Sequence, residues 1–226
     1  YEYINKGYRI KYFFHQNKGF SYSRNIAINN SSGEWIALLD HDDLCINTRL
    51  AKQVKDIKNN KNCKLFFSNA EIFNSNNLKI DKFKLFEKHD KFNPSKIDLD
   101  RYKGYVNLIK YGCFITTSSV IINKKTAMDI GGFENKYSFI SDYLFFINVA
   151  KKYNIYCNNE ILVRWRKHDK QATSIKNILQ IQELNSLYLS IYFEKLSIFI
   201  KYSILKKHIK SILKYFIISF LLLIKR

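Results

Sequence analysis

The stretch GEWIALLDHDDL, Gly33 to Leu44, runs from an apolar segment straight into Asp40, His41, Asp42 and Asp43. Residues 34–39 alternate too little for a half-exposed strand and read as a central strand covered on both faces. The acids then fall at the carboxyl end of that strand, which is where doubly wound α/β proteins bind ligands. On extended backbone Asp40 and Asp42 point to one side and His41 to the other. Two readings stay open on these residues alone. Asp42 or Asp43 caps the next helix in a solvated turn, or the paired carboxylates meet a hard divalent cation such as Mg²⁺ or Mn²⁺.

Strands and helices alternate on either side of this stretch. Arg9 to Phe14 (RIKYFF) is β-rich and reads as a strand, followed by a polar loop that turns at Gly19. Ser21 is placed to cap a short helix ending near Asn30. Beyond the acids, Leu44, Leu50, Val54 and Ile57 carry a helical rhythm, and Lys64 to Phe73 reads as a strand. Residues 74–110, with the single proline Pro94, suggest loops and one or two short helices. Cys113 to Ile122 is β-rich, and Asn123 suits the N-cap of a short helix stopped by Gly131-Gly132. Ser141 to Tyr153 reads as a helix and Ile155 to Trp165 as extended chain. This alternation predicts an α/β fold around a mostly parallel sheet flanked by helices.

Composition narrows the class without naming a partner. The chain has 226 residues, 46% of them hydrophobic, with 7 Gly and 1 Pro, which excludes general disorder and collagen-like architecture. The net charge of +19 favours anionic partners, although the abundance of lysine along the whole chain is also what coding bias produces. Basic residues form neither a recognition helix nor an RNP-like strand, so no nucleic-acid partner is expected. Cys45, Cys63, Cys113 and Cys157 contain no C-x-x-C pair, which points to reduced thiols rather than zinc or disulfides.

From Asn17 to Asp43 the sequence NKGFSYSRNIAINNSSGEWIALLDHDD resembles the signature of family-2 glycosyltransferases. Asn17 and Gly19 match N-x-G, and Ser23-Arg24-Asn25 match A/S-R-N. Ser32-Gly33-Glu34, with Ser31 ahead of them, match S-x-G-E, and Leu39 to Asp43 match L-D-x-D-D. Further on, GGFENKYSFISDYLFFINVA (131–150) resembles the family's G-G-F-D/E … E-D segment, with Ser141-Asp142 standing for the E-D pair. RWRKHDKQATS (164–174) resembles its Y-R-x-H … S element, with Arg166 and His168 in the matching slots.

The resemblance implies a GT-A (Rossmann-like) fold and an inverting transfer of a sugar from a nucleotide-diphosphate donor. It implies that Asp40 contacts the ribose or sugar of the donor and that Asp42, with Asp40, holds Mn²⁺ or Mg²⁺ against the diphosphate. Asp43, Arg24 and His168 complete the implied donor-binding set, and Asp142 is the implied general base. Arg24 as a structural arginine, Asp142 as a helix cap and His168 as a structural histidine stand beside those roles. Ser141 departs from the family's Glu, which bears on the acceptor side. The family's opening strands have no counterpart after Tyr1, so the chain is expected to be N-terminally truncated and to lack part of the nucleotide pocket.

Residues 1–175 are thus expected to form the glycosyltransferase domain, and residues 176–226 a helical, basic amphipathic tail. In the tail Lys206, Lys207, Lys210 and Lys214 fall on one side, while Leu205, Ile209, Ile212, Leu213 and Phe216 fall largely on another. That pattern fits a helix lying on an anionic membrane surface, one packed on protein, or a truncated transmembrane segment. The expected acceptor is a glycan or lipid-linked sugar, as in surface polysaccharide or lipopolysaccharide synthesis. The expected location is cytoplasmic, peripheral on the inner face of the membrane. A catalytically inactive scaffold of a glycan-assembly complex is the alternative from a different class.

Overall fold

A computed structural model describes residues 5–74, 80–84, 94, 99–168 and 178–224. In chain order the elements are α1 (Phe20–Asn30), β1 (Trp35–Ala37), β2 (Leu44–Cys45), α2 (Arg49–Asn59), β3 (Cys63–Asn74) and β4 (Ile80–Lys84). They continue with α3 (Arg101–Tyr111), a 3-10 turn (Thr117–Ser119), β5 (Ile121–Asn123), α4 (Lys124–Asp129), α5 (Ser141–Lys152) and β6 (Asn154–Lys167). The helices α6 (Ile178–Tyr192) and α7 (Ile198–Ile224) close the chain.

The α/β class holds. The described strands run in the order β1-β5-β3-β6-β2, with β4 added beside β3. The sheet is mixed rather than mostly parallel: β3 and β6 pair in parallel along most of their length, and the other pairings are antiparallel. The central strand is β3, not the segment leading to the acids. Its Leu65, Phe66, Phe67 and Ala70 are buried, as expected of a strand flanked on both sides. Among the described strands β1 pairs only with β5, and Leu39 beyond its end is 50% exposed. The apolar run of residues 35–39 therefore gave the correct element and the wrong position in the sheet.

Two other expectations are corrected. Residues 9–14 form no strand, and Tyr12 and Phe14 are 73% and 83% exposed. A β-rich sextet becomes a strand only where a neighbour takes its backbone hydrogen bonds, and no described strand pairs with it. Ser21 lies inside α1 rather than at its cap, which is Gly19, and its hydroxyl donates to the Glu134 carbonyl (2.9 Å). Of the one or two short helices expected over residues 74–110, α3 is one, while most of residues 75–98 and Ser174 lie outside the described residues.

One core joins the sheet to the helices. Leu65, Phe67, Ile122 and Ile155 from strands meet Leu108 and Ile109 of α3, Phe145, Phe146 and Val149 of α5, and Leu187, Tyr188 and Ile191 of α6. Ile204 of α7 reaches the same core. Each such fully buried large apolar side chain contributes about 1.5–3 kcal/mol, so the C-terminal helices are held to residues 1–175 by packing.

The start and stop of α4 follow the sequence. The Asn123 side chain accepts from the Thr126 amide (3.2 Å), and Gly131 and Gly132 adopt φ of +84° and +71°. A Cβ on Gly131 meets nothing within 4 Å, whereas one on Gly132 falls 2.5 Å from the Asn25 Oδ1. Gly131→Ala should therefore cost only the left-handed backbone penalty, about 1–2 kcal/mol. Gly132→Ala should cost clearly more in urea unfolding, because it also breaks the Asn25 contact. Equal losses for the two variants would show that the contact contributes nothing.

Candidate functional site

The apolar segment ending at Leu39 delivers the acids to a place that three other segments also reach. Leu38 donates its amide to the Val120 carbonyl (2.9 Å), which carries the chain beyond the end of β1 alongside the start of β5. Arg49, only 1% exposed, bonds the Leu38 carbonyl (3.0 Å), the Val120 carbonyl (2.9 Å) and Gln53 (3.0 Å). A planar guanidinium suits this task because it can serve several carbonyls at once without a counter-ion.

The 3-10 turn Thr117–Ser119 organises the carboxylates. The Ser118 hydroxyl accepts from the Asp40 amide (2.9 Å) and donates to the Asp43 Oδ2 (2.6 Å). Thr117 Oγ1 donates to Asp142 Oδ2 (3.3 Å). The Asp43 Oδ1 accepts from the Arg166 amide (2.8 Å), and Arg166 Nε donates to the Asp42 carbonyl (2.6 Å). The acidic loop is thus tied to the turn before β5 on one side and to the end of β6 on the other.

Each sequence-predicted residue can now be placed. Arg24, on α1, donates to Asp40 Oδ1 (2.8 Å) and lies over the Phe133 ring at 5.2 Å. Asp42 Oδ2 lies 3.0 Å from His168 Nε2. Asp43 is 8% exposed with both carboxylate oxygens engaged by protein groups, so its observed work is to brace the loop. Asp142, the second residue of α5, accepts from the Tyr143 amide through Oδ1 (2.7 Å) and from Thr117 through Oδ2. Asn25 forms two 2.8 Å bonds with the backbone of Phe133, one donated and one accepted, and so orders that loop.

The charges differ in character across the site. Burial pushes Asp42 up, but the His168 hydrogen bond, a local backbone bond and the charges of His41 and His168 outweigh it, and its carboxyl lies below the ordinary value. Burial pushes Asp43 above the ordinary value, helped by Asp42 and Asp40 and opposed by the bonds from Ser118 and Arg166. Burial also raises Asp142, against the pull of the Arg24 charge and the bonds from Tyr143 and Thr117, with Asp40 adding to the rise. Asp42 therefore gives up its proton more readily than an ordinary aspartate, and Asp142 less readily.

The sequence did not single out Thr117 and Ser118. Their signal was the hydroxyl run Thr116-Thr117-Ser118-Ser119, hidden inside a stretch that read as β-rich. A shallow cavity of about 700 Å³ near Ser32, Glu34, Lys124 and Met128 lies at the opposite end of β1 from the acids.

An α/β sheet thus presents carboxylates beyond a strand end, with Arg24 against Asp40 and His168 against Asp42. The glycosyl transferase family 2 model matches residues 1–124, and the chain belongs to that family. It is similar to an uncharacterized glycosyltransferase of Rickettsia typhi, at 25% identity over 188 residues, covering 82% of this chain and 55% of that protein. An uncharacterized glycosyltransferase of Methanocaldococcus jannaschii is 29% identical over 194 residues, 83% of this chain and 60% of that protein. The Escherichia coli UDP-Glc:alpha-D-GlcNAc-diphosphoundecaprenol beta-1,3-glucosyltransferase WfgD is 29% identical over 138 residues, 61% of this chain and 47% of that protein. The chain thus spans roughly half the length of these relatives.

The raised Asp142 carboxyl gives a stability prediction whose sign can be worked out. A folded-state value above the unfolded one means that stability present at low pH is lost as pH rises through the raised value. Asp142→Asn removes that loss while keeping the side chain's shape. Its melting temperature should equal that of the parent in acid and be equal or higher at pH 8. A variant less stable at pH 8 than in acid, relative to the parent, would contradict the assigned direction.

Proposed function

We propose that this protein transfers a sugar from a nucleoside-diphosphate donor to a glycan or lipid-linked acceptor, with inversion, in building a surface polysaccharide or lipopolysaccharide. The observation that carries the reading is the convergence of Arg24, Asp40, Asp42, Asp142 and His168 around one 3-10 turn. The name of the Escherichia coli relative, a glucosyltransferase with a diphosphoundecaprenol-linked acceptor, supports the class of donor and acceptor.

In this reading Asp142 removes the proton from the acceptor hydroxyl as its oxygen bonds to the anomeric carbon and the sugar–diphosphate bond breaks. A base whose affinity for protons is raised by burial suits that step. Arg24 sets a positive charge between Asp40 and Asp142, where an anionic donor is to be held. Asp40 orients the sugar or ribose while Arg24 occupies one of its oxygens.

The residues present fit a divalent cation. Asp42 is an ionised oxygen donor beside the imidazole nitrogen of His168, and one or two protein ligands plus phosphate oxygens are the usual complement for Mg²⁺-type sites. Among the described residues no three His, Cys, Asp or Glu side chains gather into a metal cage; Asp42 and His168 would hold Mn²⁺ or Mg²⁺ as a pair, while Asp40, expected beside Asp42, bonds Arg24. Such an ion offsets charge on the departing diphosphate. Asp43 is reassigned from donor contact to bracing.

The tail completes the proposal. Among the described residues no helix is long and apolar enough to cross a membrane. Helix α7 packs inward through Ile204 yet leaves Phe199, Tyr202, Leu205, Ile209, Leu213 and Phe216 exposed in a stripe at helical spacing. Lys206, Lys210 and Lys214 flank that stripe. An apolar stripe edged with lysines fits an anionic bilayer surface, which would bring the site to a lipid-linked acceptor on the inner face of the membrane.

A screen of UDP- and GDP-hexoses with Mn²⁺ or Mg²⁺, read as nucleoside diphosphate released by the full-length protein, tests the chemistry. Asp142→Asn should lower kcat by about 10²–10⁴-fold, the range of general-base catalysis. Asp42→Asn should raise the metal concentration needed for half-maximal rate. Glycan output unchanged by both would favour an inactive scaffold. Separately, the double variant Leu213→Asp/Phe216→Asp should float at least fivefold less with phosphatidylglycerol vesicles, at an unchanged melting temperature. Undiminished flotation would remove α7 from the membrane contact.

A further inference from the structure

Helix α5, which carries Asp142, begins at Ile140, whose apolar side chain cannot accept a hydrogen bond from the helix's free amides. The segment leading into the helix is instead held from the C-terminal part of the chain. Glu183 of α6 takes the Ser138 amide on Oε1 (2.8 Å), and the Phe139 amide (2.8 Å) and Ile140 amide (3.2 Å) on Oε2. One carboxylate thus holds three consecutive amides immediately before the first turn of α5. Tyr137 Oη and Ser186 Oγ, 3.3 Å apart, add a second link between the same two segments.

We propose that Glu183 is the positioning residue for Asp142, fixing the entry of α5 so that the carboxylate faces the site. The inference rests on the reading of Asp142 as the general base. Its physical basis is distance along the chain. Asp142 follows Ile140 by two residues, so a change in the backbone at 138–140 turns the first helical residues directly. The bond from Thr117 Oγ1 to Asp142, at 3.3 Å, is long, and the 2.7 Å bond from the Tyr143 amide ties the carboxylate to α5 itself, so neither fixes how the helix enters the site. Charge-assisted bonds from a carboxylate to backbone amides are about twice as strong as neutral ones, which makes Glu183 the principal restraint on this loop. The C-terminal helices therefore belong to the catalytic unit rather than to a separable tail.

Glu183 touches neither acid nor metal residues of the donor side, which sit on the loop after β1 and at the end of β6. Its loss should therefore act on kcat and leave the donor KM within about twofold. In the full-length protein, with the donor that turns over fastest in the hexose screen, Glu183→Ala should lower kcat at least tenfold. Glu183→Gln keeps one acceptor oxygen and should fall between that variant and the parent. The double variant Glu183→Ala/Asp142→Asn should be no slower than Asp142→Asn alone, because a residue that acts through Asp142 has nothing further to lose. Hydrogen exchange supplies a readout independent of substrate. Amides 138–144 should exchange faster in both Glu183 variants while those of β3 stay protected.

A parent-like kcat for Glu183→Ala, multiplicative losses in the double variant, or unchanged exchange at 138–144 would each overturn the proposal. If Glu183→Ala fails to fold, the same comparisons are made with Glu183→Gln. Should Asp142→Asn itself retain full activity, the general-base reading fails, and that outcome is separate from any result at Glu183.

Discussion

Asp43 carries the constraint on which the rest of the site depends. Its carboxylate joins the Ser118 hydroxyl to the Arg166 amide, so a single buried group connects the acidic loop, the turn before β5 and the end of β6. Burying a carboxylate is costly unless its oxygens are satisfied, and here each oxygen has a protein donor. The return is registration. Once Asp43 is seated, Ser118 can accept from the Asp40 amide, and Asp42 comes within 3.0 Å of His168. The middle acid of an L-D-x-D-D run can face outward because the last one faces in.

Arg24 and Asn25 divide a related task between adjacent positions on α1. Arg24 turns toward Asp40, and Asn25 turns away to clasp the Phe133 backbone. The clasp is why Gly132 has no room for a side chain, and it also fixes Phe133, whose ring stacks on Phe145 at 4.0 Å. Phe145 lies three residues after Asp142 on α5. The R-N and G-G-F motifs, more than a hundred residues apart in the chain, are thus two sides of one packed joint between α1, which carries Arg24, and α5, which carries Asp142. Motif conjunctions of this kind reflect contact in space.

What the sequence made legible was what local chemistry decides. Asn123 capped α4 and the Gly131-Gly132 pair ended it, because these are properties of a few neighbouring residues. The acidic cluster stood out as carboxylates at the end of an apolar run, whereas Asp142 was legible only through the resemblance of residues 131–150 to the family's segment. Position within the sheet was not legible. The apolar pattern of residues 34–39 is the same whether a strand has one partner or two, and only long-range pairing tells them apart. Residues 9–14 show the same limit, since β propensity describes a fit to neighbours rather than a conformation. Ser118 and Glu183 escaped for another reason: a lone serine or glutamate carries no sign of where its acceptor or donors lie.

The excess of basic charge can be weighed against this geometry. A net charge of +19 has two adequate explanations when it is spread along a sequence. Pairs such as Lys151 with Glu194 and Lys52 with Glu160 are neutral and leave that excess untouched. Lys207 is instead drawn inward, over the Tyr188 ring, and burial lowers it to about 8. That lysine therefore serves the packed side of α7, while Lys206, Lys210 and Lys214 remain beside its exposed apolar stripe. A single helical pattern of lysines and leucines thus splits into two faces with different work, one holding the helix to the core and one left for an outside surface. Helix α7 itself reaches the core through Ile204, and α6 supplies Glu183 to the segment just before α5.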